Sequence, residues 1–375
     1  MHKVELSYLL TAQRGKDALI RNPLMDLLHA VSEQGSISKA ATAMQMSYRH
    51  VWGALREWEQ TLGRGLIVWD KGQRARLTEF GEKLLWSERQ AQARLAPQIE
   101  ALRGDIERAF ASAFDDSTHV LTLFASHDAA LSALRDQTSQ HGLHLDIRFM
   151  GSVDAIAALN AGRCTMAGFH TQDLPSRHSV AAAAYRKLLK PGLHKLIGFA
   201  HRNQGLIVAK NNPLHITALA DIAHQRLRYV NRALGTGTRV LLDELLRQAG
   251  IAAQNISGYA SQEPSHSAVA QAVASGAADV GLGIEAAAHA KGLDFIALTQ
   301  ERYHLVCLKS ELGSKPVQAL LSELQSQTWR NTLEALPGYG GRHSENGTGN
   351  NIHSGKVLSL RTTLPWWNYR VKKTH

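Results

Sequence analysis

The chain has 2 cysteines among its 375 residues. Isolated as they are, Cys164 and Cys307 cannot build a disulfide framework or a cysteine-rich zinc site. No run of about 18 apolar residues occurs, which excludes a helical membrane span. The opening residues Met1-His2-Lys3-Val4-Glu5 lack the charged stretch and apolar core of a secretory signal. These absences predict a soluble cytoplasmic protein with no membrane partner. There are 19 histidines, but spacing such as His-Glu-x-x-His is missing, so zinc catalysis is not indicated. Ser126-His127-Asp128 are consecutive, so their side chains diverge and cannot form a relay. With no other Ser-His-Asp or Cys-His constellation, the reading is a non-enzyme without catalytic residues, metal or cofactor.

Acidic residues are also scarce: 32 against 42 basic ones give a net charge of +10. A basic balance invites a nucleic-acid partner, so the location of the charge matters. Residues 1–113 carry +3, residues 114–336 carry +2, and residues 337–375 carry +5. That last stretch reads as a basic, partly flexible tail. Its end (Leu358, Leu360, Leu364, Pro365, Trp366, Trp367) is apolar enough to dock, because paired tryptophans left in water would form a costly patch.

The first hundred residues are helical in pattern. Pro23 opens a helix with Leu24, Leu27, Leu28 and Val31 on one face, stopped by Gly35. Ser36 or Ser38 caps a second, short helix, and Ser47 caps a third whose apolar seam is Val51, Leu55, Trp58 and Leu62 before Gly63. Two helices joined by so short a turn make a helix-turn-helix. The other face of the third helix offers Tyr48, Arg49, His50, Trp52, Gly53 and Arg56, donors placed for base edges in a major groove. Residues 66–77 then read as a hairpin wing with Lys71, Arg74 and Arg76 for phosphate or minor-groove contact. The candidate DNA contacts are therefore Ser36, Ser38, Ser47, Tyr48, Arg49, His50, Trp52, Arg56, Lys71, Arg74 and Arg76. The segment Gly35-Ser36-Ile37-Ser38-Lys39-Ala40-Ala41, with Met46-Ser47-Tyr48 and Leu77-Thr78-Glu79-Phe80-Gly81, resembles the winged helix of LysR-type regulators. Its Gly-Ser-Ile-Ser and Ser-Tyr-x-x-x-Trp details are similar to molybdate-responsive repressors. This resemblance implies that the third helix reads double-stranded DNA.

From Thr78 to Phe114 breakers are few, and Leu95, Ile99, Leu102, Ile106 and Ala109 follow coiled-coil spacing. The stripe either pairs with a second copy or packs on its own chain. The LysR resemblance favours pairing, giving a dimer or a dimer of dimers. Pro97 should kink or split this helix.

Beyond residue 118, apolar strands alternate with helices, an α/β texture. Ser152 and His266 each start a helix closed by a glycine ten residues on, a weak internal repeat that suggests two related lobes. Ligands of such sheets lie where strands end and helix N-termini converge, which favours an anion. The sharpest element is Asn231 to Arg239: Gly235 and Gly237 let the backbone close on an oxyanion, Thr236 and Thr238 add hydroxyls, and Arg232 and Arg239 add charge. It lacks the Lys-Ser/Thr ending of a nucleotide loop. The candidate ligand contacts are Ser126, His127, Ser152, Arg232, Gly235, Thr236, Gly237, Thr238, Arg239 and His266; His170 also faces the expected cleft.

The stretches Ser126-His127-Asp128, Gly151-Ser152, Arg202 to Val208, Asn231 to Asp243 and Ala278 to Gly283 resemble the type-2 periplasmic-binding-protein fold. They are similar to the branch fused to winged-helix regulators and associated with molybdenum-dependent enzymes such as formate dehydrogenase. The resemblance implies a hinge of two crossing strands, near Gly198–Val208 and Gly283–Val306. It also implies a small-anion effector: formate, molybdate or tungstate, or a phosphate-bearing molybdenum-cofactor species. The predicted architecture is α/β with an N-terminal all-α winged helix-turn-helix (1–77), a linker helix (78–116), a two-lobed effector domain (117–336) and a tail (337–375). The predicted function is a ligand-responsive transcription regulator. The alternative is a non-regulatory anion-binding protein or enzyme that uses the two-lobed domain.

Overall fold

The computed structural model describes residues 21–69, 74–114, 119–172, 175–339 and 354–367. The chain divides into two compact units between Gln92 and Ala93. Among the described residues no helix is long and apolar enough to cross a membrane.

In the first unit, helices α1 (Pro23–Gln34), α2 (Ile37–Ala43) and α3 (Tyr48–Leu62) precede strands β1 (Ile67–Val68) and β2 (Arg76–Leu77) and the start of α4 (Glu79–Phe114). The caps fall where the sequence sets them. Asn22 and Ser36 start α1 and α2, Ser47 starts α3, and Gly35 and Gly63 close α1 and α3 in the left-handed conformation. Leu24, Leu28, Val31, Ala40, Val51, Leu55 and Leu66 form the core. Trp58, expected on the buried seam, is instead 37% exposed. β1 and β2 pair antiparallel as the wing; Lys71 at its expected tip lies outside the described residues. The Leu-Thr-x-x-Gly motif has a steric cause. The Thr78 hydroxyl donates to the Gly65 carbonyl at 2.7 Å and accepts from Gly81 N–H at 3.0 Å. A Cβ on Gly81 would come within 2.4 Å of the Leu66 carbonyl oxygen.

The second unit takes the rest of α4. There follow β3 (His119–Ala125), α5 (Ala129–Thr138), β4 (Leu143–Phe149), α6 (Ser152–Asn160), β5 (Met166–Gln172), α7 (Val180–Tyr185) and β6 (His194–Val208). Next come α8 (Leu219–His224), β7 (Tyr229–Arg232), α9 (Gly237–Gln248), β8 (Gln262–Glu263), α10 (His266–Ala274), β9 (Val280–Ile284), α11 (Glu285–His289) and β10 (Asp294–Leu308). The chain closes with α12 (Lys315–Gln325), α13 (Gln327–Glu334), β11 (Val357–Leu358) and α14 (Leu360–Thr363). The strand order is β4-β3-β5-β10-β6-β9-β7-β8, with β11 on β6. β3, β4 and β5 run parallel in one lobe, and β7, β8 and β9 in the other. Strands β6 and β10, 15 residues each, run antiparallel through both. They are the expected crossing pair, although the second starts at Asp294. The repeat is also present: α6 and α10 start at Ser152 and His266 and span 9 residues each, and positive-φ Gly162 and Gly276 follow.

Two expectations change. The tail is not separate from the effector domain, because its described parts belong to the first lobe. Tyr339 is buried, β11 pairs with Leu196 and Ile197, and Leu360, Leu364 and Trp366 enter a core with Phe169, Tyr185 and Leu196. The linker is not a separate segment either, since the unit boundary falls inside α4, which Pro97 does not split. Proline at 97 has no N–H for the carbonyl of Ala93, one turn earlier. The hydroxyl of Ser265 donates to that carbonyl at 3.1 Å and also caps α10 by accepting from Ala268 N–H at 3.0 Å.

Ser265→Ala removes both bonds and should cost about 1–3 kcal/mol of stability in chemical denaturation. In a Pro97→Ala background, whose new N–H serves Ala93, the cost should fall to that of the cap alone, about 1 kcal/mol. Equal costs in both backgrounds would show that Ser265 does nothing for the proline.

Candidate functional site

On α3 the predicted DNA face is open to solvent. Tyr48, Arg49, His50, Gly53 and Arg56 are exposed, and Trp52 is half-buried. Ser47 is spent on the cap, accepting from His50 N–H at 3.2 Å, and Ser36 likewise caps α2. Ser38 is exposed on α2. Trp52 stacks on Tyr48 at 6.4 Å between ring centroids and meets the edge of Trp69 at 5.7 Å. Wing residue Trp69 thus buttresses α3, a role its sequence position did not reveal. Arg56 lies over Trp52 at 4.5 Å and pairs with Glu59 at 2.9 Å. The other Glu59 oxygen accepts from Leu66 N–H at 2.8 Å, so one carboxylate ties α3 to the wing. Arg74 and Arg76 are exposed beside the wing, and Ala75 N–H bonds the Gly35 carbonyl at 3.0 Å.

In the second unit the chemistry gathers on the crossing strands. Arg202 of β6 stands opposite Glu301 of β10 in register, and both side chains are about 1% exposed. The Arg202 guanidinium donates to Glu301 and to Asp128, the N-cap of α5. Tyr339 donates to the same Asp128 oxygen at 2.6 Å. Burial opposes the charge on Arg202, but Glu301 and Asp128 outweigh it and hold its proton affinity above the ordinary arginine value. Gln204 extends the group, donating from Nε2 to Glu301 at 2.9 Å and to Thr238 Oγ1 at 3.2 Å.

Around this node the ends of both lobes converge. Ser152 starts α6, Gly237 starts α9 and His266 starts α10. The Gly235 carbonyl accepts from Val153 N–H at 3.4 Å, bringing the glycine-threonine loop to the first turn of α6. A Cβ on Gly237 would come within 2.5 Å of the His170 ring, so only glycine allows that approach. Arg232, 1% exposed, has a single protein partner recorded for its guanidinium, the Glu263 carbonyl at 2.9 Å; its Nε has none. Burial, with Arg202 nearby, pulls its proton affinity below the arginine norm. Among the described residues His170 Nε2 and His266 Nδ1 are likewise buried without a partner, and the buried Ser152 hydroxyl lies beside that of Tyr185. Buried donors of this kind are stabilised by an acceptor, and an anion serves several at once.

Not every predicted contact joins them. Arg239 lies over Tyr259 at 4.0 Å and faces Asp243 at 3.4 Å, one turn along its own helix, while its Nε and Nη1 are buried without a hydrogen-bond partner among the described residues. The Thr236 hydroxyl donates to the Ala233 carbonyl at 2.7 Å and caps α9. Ser126 donates to the Met150 carbonyl at 3.3 Å. His127 packs edge-on against Phe149 and faces Glu100 of α4 at 3.5 Å.

Arg202, Gln204, Glu301 and Tyr339 escaped the sequence reading of the site. The signal was present: His201-Arg202-Asn203-Gln204 and Glu301-Arg302-Tyr303-His304 are polar runs interrupting otherwise apolar strands. Among the described residues no cluster of three or more His, Cys, Asp or Glu is placed to hold a metal.

Helix α4 presents two faces. Ala93, Pro97 and Gly104 are buried against its own unit. Arg94 pairs with buried Glu263 at 2.6 Å, Glu100 accepts from Ser132 at 2.9 Å, and Arg108 pairs with Asp146 at 3.0 Å. The predicted seam is on the other side, with Leu95 44% and Leu102 59% exposed.

Residues 133–325 match the family model described as PBP superfamily domain. Residues 24–82 match that described as bacterial regulatory helix-turn-helix protein, lysR family. The chain is 33% identical over 192 residues to the uncharacterized protein YvgK of Bacillus subtilis (strain 168), covering 51% of this chain and 61% of that relative, which is less than two thirds of its length. It is 40% identical over 101 residues to an uncharacterized protein in the ferredoxin 2Fe-2S gene 5′ region of Clostridium pasteurianum, covering 27% of this chain and 89% of that protein. Among solved structures it is similar to an H2O2-bound OxyR mutant of Corynebacterium glutamicum (TM-score 0.41, 18% identity, 80% of this chain and 88% of that one). Another is full-length CbnR complexed with target DNA (TM-score 0.37, 16% identity, 80% and 98%).

Arg202→Met should destabilise the second unit by about 3–5 kcal/mol, because Asp128 and Glu301 are left as buried, uncompensated carboxylates. Denaturant midpoints measure this; a loss below about 1 kcal/mol would mean that the pair behaves as an exposed one.

Proposed function

Because the chain belongs to the PBP superfamily through residues 133–325 and carries a lysR-family regulatory helix-turn-helix over residues 24–82, we propose that it is a LysR-type transcription regulator controlled by a small anion. The observation that carries the reading is the pairing, in one chain, of an exposed donor face on α3 with a cleft of buried, unpartnered donors. Arg49 and His50 read bases or phosphates, and Arg74, Arg76 and Lys71 hold the backbone. The effector sits among Ser152, Arg232, Thr238 and His266. It acts as a regulator, not an enzyme, in the cytoplasm. For the effector we retain formate, molybdate or tungstate, or a phosphate-bearing molybdenum-cofactor species, in a molybdenum or formate dehydrogenase setting. This finer reading rests on the sequence resemblance, and the donor set is compatible with each anion.

Regulation follows if the anion favours one arrangement of the lobes over another, since a ligand shifts an equilibrium only by its differential affinity. The lobes differ in what they hold on α4: Arg94 meets Glu263, whose carbonyl binds Arg232, while Glu100 and Arg108 meet the first lobe. The exposed seam of Leu95, Ile99, Leu102, Ile106 and Ala109 pairs α4 with that of a second copy, so that two DNA-binding units meet two half-sites.

Arg49→Ala should weaken binding to DNA from upstream of the protein's own gene by about 1–3 kcal/mol in fluorescence anisotropy. Unchanged affinity and salt slope would remove α3 from the interface. Leu95→Asp with Leu102→Asp should turn the dimer into a folded monomer by light scattering, and a dimer that persists would place self-association elsewhere.

A further inference from the structure

The unpartnered donors carry more information than charge, because the hydrogen-bond chain around Arg202 fixes which histidine nitrogen holds the proton. His170, 3% exposed, takes an N–H of Arg202 on Nδ1 at 3.3 Å, and Glu301 is too distant from that nitrogen, at 3.7 Å, to accept from it. Nδ1 is therefore an acceptor, and the single proton of a neutral ring belongs on Nε2, the atom without a partner. His266, also 3% exposed, is reached by a second branch. Gln204 spends both Nε2 hydrogens, on Glu301 and on Thr238 Oγ1. Thr238 keeps its own hydrogen, and His266 Nε2 lies 3.5 Å from its oxygen. With that hydrogen donated to Nε2, the His266 proton lies on Nδ1, again the unpartnered atom. Both rings are kept neutral by burial first and by the neighbouring arginines second, which hold their proton affinity well below the ordinary histidine value. Arg202 reaches His170, and Glu301, Gln204 and Thr238 carry the same chain of contacts to His266, so the two histidines belong to one group.

We infer that His170 and His266 determine specificity as fixed N–H donors, one from each lobe, so that the cleft selects an oxyanion offering only acceptors over one that carries a hydroxyl. This rests on the anion-binding reading above. With Arg232 Nε–H, the ligand meets three N–H donors, none of which can accept, and a sulfate- or molybdate-like dianion or a carboxylate satisfies them all. Hydrogen phosphate brings a donor of its own, which these groups cannot accept, and an unpaired buried donor is heavily penalised.

The test uses the full-length protein near neutral pH. Sulfate and molybdate should raise its melting temperature, and in calorimetric titration phosphate should bind at least about tenfold more weakly. His170→Gln and His266→Gln keep an N–H donor and should stay within a few-fold of the parent; the Leu variants should lose about tenfold or more each. Long-range proton–nitrogen correlation spectra of the nitrogen-15 histidine-labelled wild type, assigned with the Gln variants, should place the proton on Nε2 of residue 170 and Nδ1 of residue 266. This readout stands even where a Leu variant fails to fold. Phosphate binding as tightly as sulfate would assign Gln204 Oε1, the unpartnered acceptor in the group, to a ligand hydroxyl and overturn the inference alone. The opposite tautomers would also overturn it alone. No thermal shift with any of the three anions would overturn the anion reading and this inference with it.

Discussion

The charge of Arg202, buried between Asp128 and Glu301, constrains much of the second unit. A guanidinium at that depth is tolerated only when its partners are close and its donors are used. Glu301 must therefore stand opposite it, which fixes the register of the crossing strands, and Asp128 must reach it while also capping α5. Tyr339 is drawn in from a segment that composition alone assigns to a loose tail. The same pair is linked to Gln204, Thr238, His170 and His266, so the demands of burying a cation set the polarity of the proposed ligand site.

Much of the first unit was legible because its signals are local. The Pro23 start, caps at Ser36 and Ser47, stops at Gly35 and Gly63, and a period of 3.6 are written within a few residues of where they act. The helices and strands of the two lobes were legible for the same reason, as were Ser152 and His266 as helix starts. The heart of the site was not. Arg202 and Glu301 lie 99 residues apart and meet only through strand pairing, so their polar runs read as unremarkable interruptions of apolar strands. Arg239 shows the reverse: its place in the loop was legible, but its neighbours Tyr259 and Asp243, brought close by the fold, were not.

Helix α4 shows how one element serves two demands. Its buried side carries small residues and a proline, and the carbonyl that the proline leaves open is met by Ser265, beside the cleft residue His266. Its other side keeps the apolar seam clear. A proline, expected from sequence as a break, becomes a docking point because the N-cap serine of another helix in the same unit supplies the missing donor.

The edge of β6 is tiled by three separate pieces of chain. β11 covers Leu196 and Ile197, Gly338 and Tyr339 cover Asn203 and Arg202, and β9 covers Gln204 to Val208. Against its other neighbour, β10, register shifts fall between Ala297 and Thr299 and between Tyr303 and His304, on either side of Glu301. The irregularities of the crossing strands thus flank the short stretch that holds the buried charges. The join between the lobes and the proposed anion site occupy the same few residues, so in the proposed regulator a ligand would act directly on the strands that both lobes share.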